Sequence, residues 1–344
     1  MSTLSDIAAQ AGVSVSAVSR VLSKAPSSRV SEATRRRIED VARELDYHPN
    51  FAARALKLSR TNVVALVVPD LTNAIFSELM RGVEEAAAEL DYMVLLAREE
   101  SVRPTAATIA KLVGEGRVDG ILVQVGDDMT VDDLSGILDG AVPAVLINSR
   151  RDDHVGSVVL PDEEGAAVAV RHLVGLGHSA IGLVNGLPHT DSAIRRGIGF
   201  AAAMASAGLA INPVFITSLG YNPQQGRAAM QTLAALAERP TALVVANVNA
   251  ALGLLAEART LGIRVPDGLS IVAIHDTWTA ENAWPPLTTV RMPLYELGKR
   301  SMTAIFDRIR AGATVDVVVD DPPPELVLRE STAPDRQIEP TNYE

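Results

Sequence analysis

The stretch GVSVSAVSRVL at residues 12–22 decides how the N-terminal part of the chain folds. Valine and serine alternate through its first half, and a period of two is typical of a half-buried strand. Its second half places apolar residues three and four positions apart, which is typical of one face of a helix: Val18, Val21 and Leu22. Gly12 accepts a left-handed backbone, and the Ser14 hydroxyl can cap a helix. The stretch therefore predicts a helix that begins after Ser14.

Two further helical patterns flank this segment. The first follows Thr3, whose hydroxyl and the acid three residues later, Asp6, are typical of a capping box. The second follows Ser31, and its apolar stripe consists of Thr34, Ile38, Val41 and Leu45. A small residue at Ala8 with Gly12 four positions later lets two helices cross closely, as a helix-turn-helix unit requires. Residues 1–48 are therefore predicted to form a helix-turn-helix headpiece.

The second helix of such a unit enters the major groove of DNA by its N-terminal turn. The side chains that face outward there, and that we predict to meet the major groove, are Val15, Ser16, Ser19 and Arg20. The Arg20 guanidinium can fork to a guanine, and Val15 can pack on a thymine methyl group. Hydroxyls at helix starts are predicted to contact phosphates: Thr3, Ser14, Ser31 and Thr34. A small structural helical bundle without DNA remains the alternative.

The charge distribution is uneven along the chain. The 344 residues carry a formal net charge of −11. Residues 1–60 hold ten Lys or Arg and six Asp or Glu, a net charge of +4, so the remainder carries −15. A basic head on an acidic body is expected when one end alone meets phosphate, although a solvated basic face would give the same count.

Beyond residue 60, short apolar runs alternate with amphipathic helical patterns, which predicts doubly wound parallel sheets. The apolar runs are 63–69, 93–97, 120–125, 144–148, 180–184, 242–247 and 270–274. The helices are expected near 75–90, 104–113, 131–138, 163–175, 192–207, 223–237 and 249–261. So many strands indicate two α/β subdomains within 61–333, roughly 61–160 plus 291–320 and 161–290 plus 321–333. Residues 49–60 form a linker and 334–344 a polar tail.

Several classes of function are disfavoured. GLGHSA at 175–180 fits a dinucleotide fingerprint but lies after a helix and before a strand, the reverse of what pyrophosphate binding needs. The six histidines lack metal-ligand spacing, and no nucleophile elbow or phosphate loop occurs. No cysteine, export signal or apolar run of about 18 residues is present. We therefore expect no enzyme, cofactor, metal or membrane, and a cytoplasmic protein that joins the nucleoid when bound to DNA.

Several segments in combination identify a family. They are TLSDIAAQAGVSVSAVSRVLS, VSEATRRRIEDVARELDYHPNFAARAL, RHLVGLGHSAIGLVNG, SAIRRGIGF and PPLTTVRMPLYELG. Nearly the entire chain, to about residue 333, resembles the LacI/GalR family of bacterial transcription regulators. The resemblance implies an all-α headpiece, a hinge helix, and an effector domain similar in fold to periplasmic sugar-binding proteins. It also implies a repressor that binds a pseudo-palindromic double-stranded operator as a homodimer.

The resemblance further implies a hinge helix within residues 49–60 that folds on the operator and reaches the minor groove. Its expected contacts are Asn50, Ala53 and Leu56, with Leu56 as an apolar wedge. Without the family, Leu56 is equally plausible as a core residue at the domain junction. Ala17 replaces a threonine common in the family, which leaves the operator sequence open.

The family places a small-molecule effector in the cleft at the carboxyl ends of the strands. The residues at matching positions are Phe76, Asn148, Arg196, Tyr221, Asn247, His275 and Trp278. For the three aromatic residues, ordinary core packing is an equal alternative. Asn148 and His275 stand where family members carry acids, so we expect the carboxylates that chelate sugar hydroxyls to be missing. A negatively charged or aromatic ligand would then suit Arg196 and His275, with a sugar or sugar phosphate as the alternative.

An effector would bias closure of the subdomains and thereby change DNA affinity, with a sign that the sequence leaves open. A regulator that activates, or that needs no effector, is the alternative within this fold. A pure solute-binding protein would have an export signal and no basic headpiece. The last residues lack apolar heptads, so a dimer is expected rather than a tetramer.

Overall fold

The computed structural model describes residues 2–22, 30–48, 60–98, 114–126, 142–150 and 155–335. The chain divides into two compact units, residues 1–61 and 62–344. The helices near 104–113 and 131–138 and the hinge residues Asn50, Ala53 and Leu56 lie outside the described residues. No helix among the described residues is long and apolar enough to span a membrane.

The first unit contains three helices: α1 (Leu4–Ala11), α2 (Val15–Leu22) and α3 (Glu32–Glu44). The predicted helix after Ser14 is confirmed, and so is the capping box in which Thr3 and Asp6 satisfy each other's backbone amides. Gly12 ends α1 with φ of 63°, the left-handed conformation that glycine adopts without steric cost. The three helices bury one core: Ile7, Ala8, Ala11, Val18, Val21, Ile38, Val41 and Ala42.

The second unit is built from strands and helices that alternate along the chain. Its strands are β1 (Val63–Val68), β2 (Met93–Arg98), β3 (Gly120–Val123), β4 (Ala144–Ile147), β5 (Gly156–Val159), β6 (Ile181–Asn185), β7 (Ile216–Ser218), β8 (Ala242–Val245), β9 (Ser270–Ile274), β10 (Thr288–Arg291), β11 (Asp316–Val318) and β12 (Glu325–Val327). Its helices are α4 (Ile75–Glu89), α5 (Asp162–Gly175), α6 (Asp191–Ser206), α7 (Pro223–Ala234), α8 (Val248–Thr260), α9 (Trp278–Glu281) and α10 (Leu294–Ala311).

The strands form two six-stranded sheets. The first has the order β11-β5-β4-β3-β1-β2 and is parallel throughout. The second has the order β12-β10-β9-β8-β6-β7 and is parallel except for the pairing of β10 with β12. The predicted fold class, an α-helical headpiece followed by two doubly wound parallel sheets, is confirmed. The antiparallel pair at one edge is an addition to it.

The chain passes between the two sheets three times. The first passage joins β5 to α5, the second joins β10 to α10, and the third joins β11 to β12. Helix α10 lies against the first sheet and crosses α4 so closely that Gly82 and Gly298 leave no room for a Cβ atom. A continuous apolar core connects strands of both sheets, for example through Leu66 and Val272.

Candidate functional site

The outward face of α2 carries the side chains expected to read bases. Val15, with 43% of its surface exposed, lies beside exposed Ser16 and Arg20, while Ser19 is partly buried. Val18 and Val21 are buried in the core of the unit, which fixes how the helix presents its other face. Arg20 Nε donates a hydrogen bond of 3.1 Å to the Ser16 carbonyl oxygen one turn earlier. An exposed guanidinium and an exposed valine within two turns of one helix suit contact with base edges.

The hydroxyls expected near phosphates lie at the helix starts. Ser14 Oγ accepts from the Ala17 amide at 3.3 Å, and Ser31 Oγ accepts from the Thr34 amide at 3.3 Å. Thr3 Oγ1 donates to the Asp6 carboxylate at 2.8 Å. Each hydroxyl therefore helps to form its helix, and each helix directs further backbone N–H groups of its first turn outward.

A second polar group of residues, the Asp162 cluster, lies in the other unit at the start of α5. We use this name for Asn148, Asp162, Arg195, Arg196 and His275. The Asp162 side chain is fully buried and accepts from Arg195 Nη2 at 2.6 Å and from Arg196 Nε at 2.8 Å. Burial opposes ionisation of this carboxyl, but the two guanidiniums hold its pKa below the usual value. Asp162 is therefore an anion in the interior.

Arg195 links the Asp162 cluster to the first sheet. Its Nη2 also donates to Asn148 Oδ1 at 2.8 Å, and its Nη1 pairs with Asp191 on the same helix. Asn148 follows β4 with φ of 51°, and its Oδ1 also accepts from the Leu160 amide at 3.0 Å. One amide oxygen thus joins the ends of β4 and β5 to an arginine of α6.

His275 completes the Asp162 cluster at the end of β9. Arg196 Nη2 lies 3.1 Å from His275 Nε2, and because an arginine only donates, Nε2 is the acceptor and the proton lies on Nδ1. Burial, with Arg196 next to it, lowers the pKa of His275 to about 3. His275 is therefore neutral near pH 7. Burial opposes the charge of Arg196, but the Asp162 carboxylate raises its pKa above the usual value.

Two glycines allow the side chains to converge. Gly199 of α6 lies against the Glu163 backbone of α5, where a Cβ atom would overlap the carbonyl oxygen. This contact brings both arginines to Asp162. Gly186, after β6, lies under the Tyr221 ring with equally little room. Tyr221 Oη is 2.9 Å from Ser192 Oγ.

The structure brings together four of the residues expected at the effector site. Asn148, Arg196 and His275 belong to the Asp162 cluster, and the Arg196 guanidinium carbon lies 5.6 Å from the Tyr221 ring centroid. For the other three, the structure shows other contacts or exposure. Asn247 caps α8, with Oδ1 accepting from the Ala250 amide at 2.8 Å. Phe76 is buried in the apolar core, and Trp278 has 68% of its surface exposed.

Carboxylates from other positions than those of Asn148 and His275 lie in this region, and sequence reasoning did not foresee them. Asp162 and Asp191 both lie there, and each pairs with an arginine of the pair Arg195–Arg196. Sequence reasoning missed Asp162 and Arg195, which are 33 positions apart along the chain. The available signal was a doubled arginine on a helix face that is otherwise small and apolar, since a buried arginine needs an acid.

Comparisons with known proteins agree with this architecture. A family model described as bacterial regulatory proteins, lacI family, matches residues 3–50, and one described as a periplasmic binding protein-like domain matches residues 170–332. The chain is 35% identical to the HTH-type transcriptional regulator DegA of Bacillus subtilis, over 96% of this chain and 98% of that protein.

Solved structures show the same arrangement. A LacI family transcriptional regulator from Mycobacterium smegmatis is 43% identical, with a TM-score of 0.76, and the match covers 79% of this chain and 99% of that one. The Lac repressor dimer bound to operator and the anti-inducer ONPF is 27% identical, with a TM-score of 0.80, over 96% and 99%. The chain belongs to the LacI family and is a DNA-binding transcriptional regulator.

Proposed function

We propose that this regulator is a repressor that binds a pseudo-palindromic operator as a homodimer and is controlled by a small molecule. The observation that carries the proposal is the outward face of α2, where Val15, Ser16 and Arg20 are exposed within two turns. In each half-site these side chains, with Ser19, contact base edges in the major groove. The helix-start hydroxyls and the hinge residues contact phosphates and the minor groove respectively.

The homodimer is supported by exposed apolar side chains in the second unit. Met93, Leu95 and Leu96 are exposed on β2, which is an edge strand of the first sheet. Ile194 and Ile198 are each half exposed one turn apart on α6. Apolar groups on an unpaired sheet edge are normally covered by a partner, and a second copy would do so in a two-fold arrangement. The similar Lac repressor structure is that of a dimer bound to operator.

The effector site of the proposal is the Asp162 cluster with Tyr221, where strands of both sheets end. Asn148 follows β4 of the first sheet and His275 follows β9 of the second, so a ligand that contacts both couples the two halves. Asn247, Phe76 and Trp278 are further proposed contacts. A ligand that prefers one arrangement of the halves changes DNA affinity by the difference in its binding energies.

Selection from a random double-stranded DNA library tests the DNA-binding part. Purified full-length protein should enrich an inverted repeat, and fluorescence anisotropy should then give an affinity that falls steeply with salt because phosphate contacts release counterions. The matched control is the enriched sequence with one half-site scrambled. It should bind far more weakly if two headpieces act together. Enrichment of a single unrepeated half-site, or of nothing, would contradict the proposal.

A further inference from the structure

The Asp162 cluster contains two buried N–H groups whose hydrogen bonds are unmade. Among the described residues, Arg195 Nε and His275 Nδ1 have no hydrogen-bond partner. Both side chains are almost fully buried, with 5% and 2% of their residue surfaces exposed. His275 Nδ1 carries the proton, since Nε2 accepts from Arg196. Leaving a buried donor unsatisfied is costly, so such groups in a binding cleft indicate an acceptor supplied from outside.

The acceptors in the same cluster are each already engaged by an arginine. One oxygen of Asp162 accepts from Arg195 and the other from Arg196. The Asp191 carboxylate pairs with Arg195, and Asn148 Oδ1 accepts from both Arg195 and the Leu160 amide. A neutral polyol needs acceptors for its hydroxyl protons, and here the carboxylates that could accept them are engaged by arginines. The cluster therefore offers donors in excess of acceptors.

The net charge around the Asp162 cluster also favours a ligand that accepts hydrogen bonds, because it is positive. Arg195 and Arg196 face Asp162 and Asp191, which balances, and His275 is neutral. Arg150, exposed and two residues after Asn148, lies close enough to Arg195 to repel its charge. Among the described residues around the cluster, three arginines against two aspartates leave one positive charge for a ligand to neutralise. Buried donors next to an unbalanced cation are the arrangement that binds oxyanions.

We propose that the effector carries an oxyanion that accepts hydrogen bonds from Arg195 Nε and His275 Nδ1, and this inference rests on the proposed effector site. The oxyanion is a carboxylate or a phosphate ester of a small polar molecule. Binding satisfies both buried donors and neutralises the excess charge beside Arg150. The ligand thus differs in class from a neutral sugar.

Thermal unfolding of the full-length protein tests the ligand class with matched probes. The probes are gluconate, glucose 6-phosphate and glucose, each titrated to 50 mM at constant ionic strength in chloride, together with inorganic phosphate. We expect a saturable rise in melting temperature of about 3 °C or more with at least one oxyanion and none with glucose. Gluconate and glucose 6-phosphate separate the carboxylate from the phosphate source. Equal stabilisation by glucose, or no saturable shift with any oxyanion, would overturn the proposal.

Two variants locate the response. Arg195→Lys keeps the positive charge but removes the Nε donor, and His275→Asn keeps a side chain that tolerates positive φ. Each should weaken oxyanion binding about tenfold in calorimetry. The matched control is Arg171→Lys, at an exposed arginine that pairs with Glu164 on α5, and it should bind like the parent protein. Unchanged affinity in both cluster variants would place the oxyanion elsewhere and refute the assignment.

The ligand-binding test and the DNA-binding test can fail independently of each other. Because the sign of the effector's action is open, operator binding is measured both without added ligand and with each probe, and its absence under every condition would contradict the regulator proposal while leaving the melting data interpretable. A protein that binds its operator but responds only to glucose would contradict the oxyanion alone.

Discussion

The outward face of α2 and the Asp162 cluster use the same chemistry, arginine and hydrogen-bonding side chains, in opposite surroundings. On α2, Arg20 Nε donates to the carbonyl oxygen of a residue four positions away, and the Arg20 side chain is exposed. In the Asp162 cluster the side-chain contacts join residues 33 to 79 positions apart, and every member is buried. Substitution of the exposed arginine should therefore affect binding alone, whereas substitution of a buried arginine should also lower the free energy of unfolding.

The largest effect should follow removal of the shared carboxylate. Asp162→Ala leaves two guanidiniums in the interior without their acid, and breaking a buried pair in this way costs about 3–5 kcal/mol. Urea unfolding of the variant and its parent measures the difference. The matched control, Glu164→Ala, removes an exposed acid from the same helix and should cost at most about 1 kcal/mol. Similar losses in both variants would show that burial of the ion pairs is unimportant.

The next effect concerns the contact that brings α6 to α5. Gly199→Ala places a Cβ atom on the Glu163 carbonyl oxygen, so we expect a loss of about 1–3 kcal/mol from forced displacement of the helices. Gly197→Ala is the control on the same helix, because its Cβ would meet only Asn185 Nδ2 at 3.8 Å. That variant should be neutral or more stable by about 0.5–1 kcal/mol, since alanine favours a helix. Equal unfolding free energies would contradict the close approach.

A third experiment addresses α2. Arg20→Ala should weaken operator binding by about 1–3 kcal/mol and relax discrimination at one base pair in each half-site. Because Arg20 is exposed, the free energy of unfolding should change by no more than about 0.5 kcal/mol. Anisotropy on operators altered one pair at a time measures the first effect, and Arg171→Ala is the control. A uniform loss on all sequences would assign Arg20 to a phosphate instead.

The smallest effect is a pH dependence of stability. The folded state keeps His275 neutral with a pKa of about 3, while the unfolded chain has the ordinary value of about 6.5. The unfolded state therefore binds a proton first as pH falls, and stability is lost from about pH 6.5 downward. The loss at pH 5.5 is about 1.4 kcal/mol relative to pH 8. Urea titrations of the parent and His275→Asn at both values should show a loss that is larger in the parent by about this amount, because partly buried His172, whose pKa is also lowered, contributes equally in both proteins.

Local patterns were sufficient to predict much of the fold. The three helices of the first unit follow from local signals, because each signal involves residues only a few positions apart. These signals are the caps at Thr3, Ser14 and Ser31 and the apolar spacing that follows each cap. Seven apolar runs predicted seven strands, and all of these except the edge strand β2 are largely buried on both faces. Five strands were missed: β5, β7, β10, β11 and β12. They contain three or four residues each, and each includes polar residues, so none has the continuous apolar run that marked the equally short β3, β4 and β8. The predicted helix over 223–237 ends at Ala234.

The site was less predictable than the fold. Arg196, Asn148 and His275 were reached through a resemblance, but the partners that neutralise and orient them were not. A charge far along the chain becomes a neighbour only through the packing of α5 on α6. That packing depends on the absence of a side chain at Gly199, which no charge or hydropathy pattern marks.

The three passages of the chain between the sheets have a mechanical consequence. A single connection would let the two halves twist, slide and bend independently, whereas three connections side by side restrict their relative motion. They oppose sliding and twisting and leave bending about one line as the soft motion. A molecule bound at one end of the sheets then acts on this bending motion alone. Its binding energy therefore changes mainly the bending angle between the two halves.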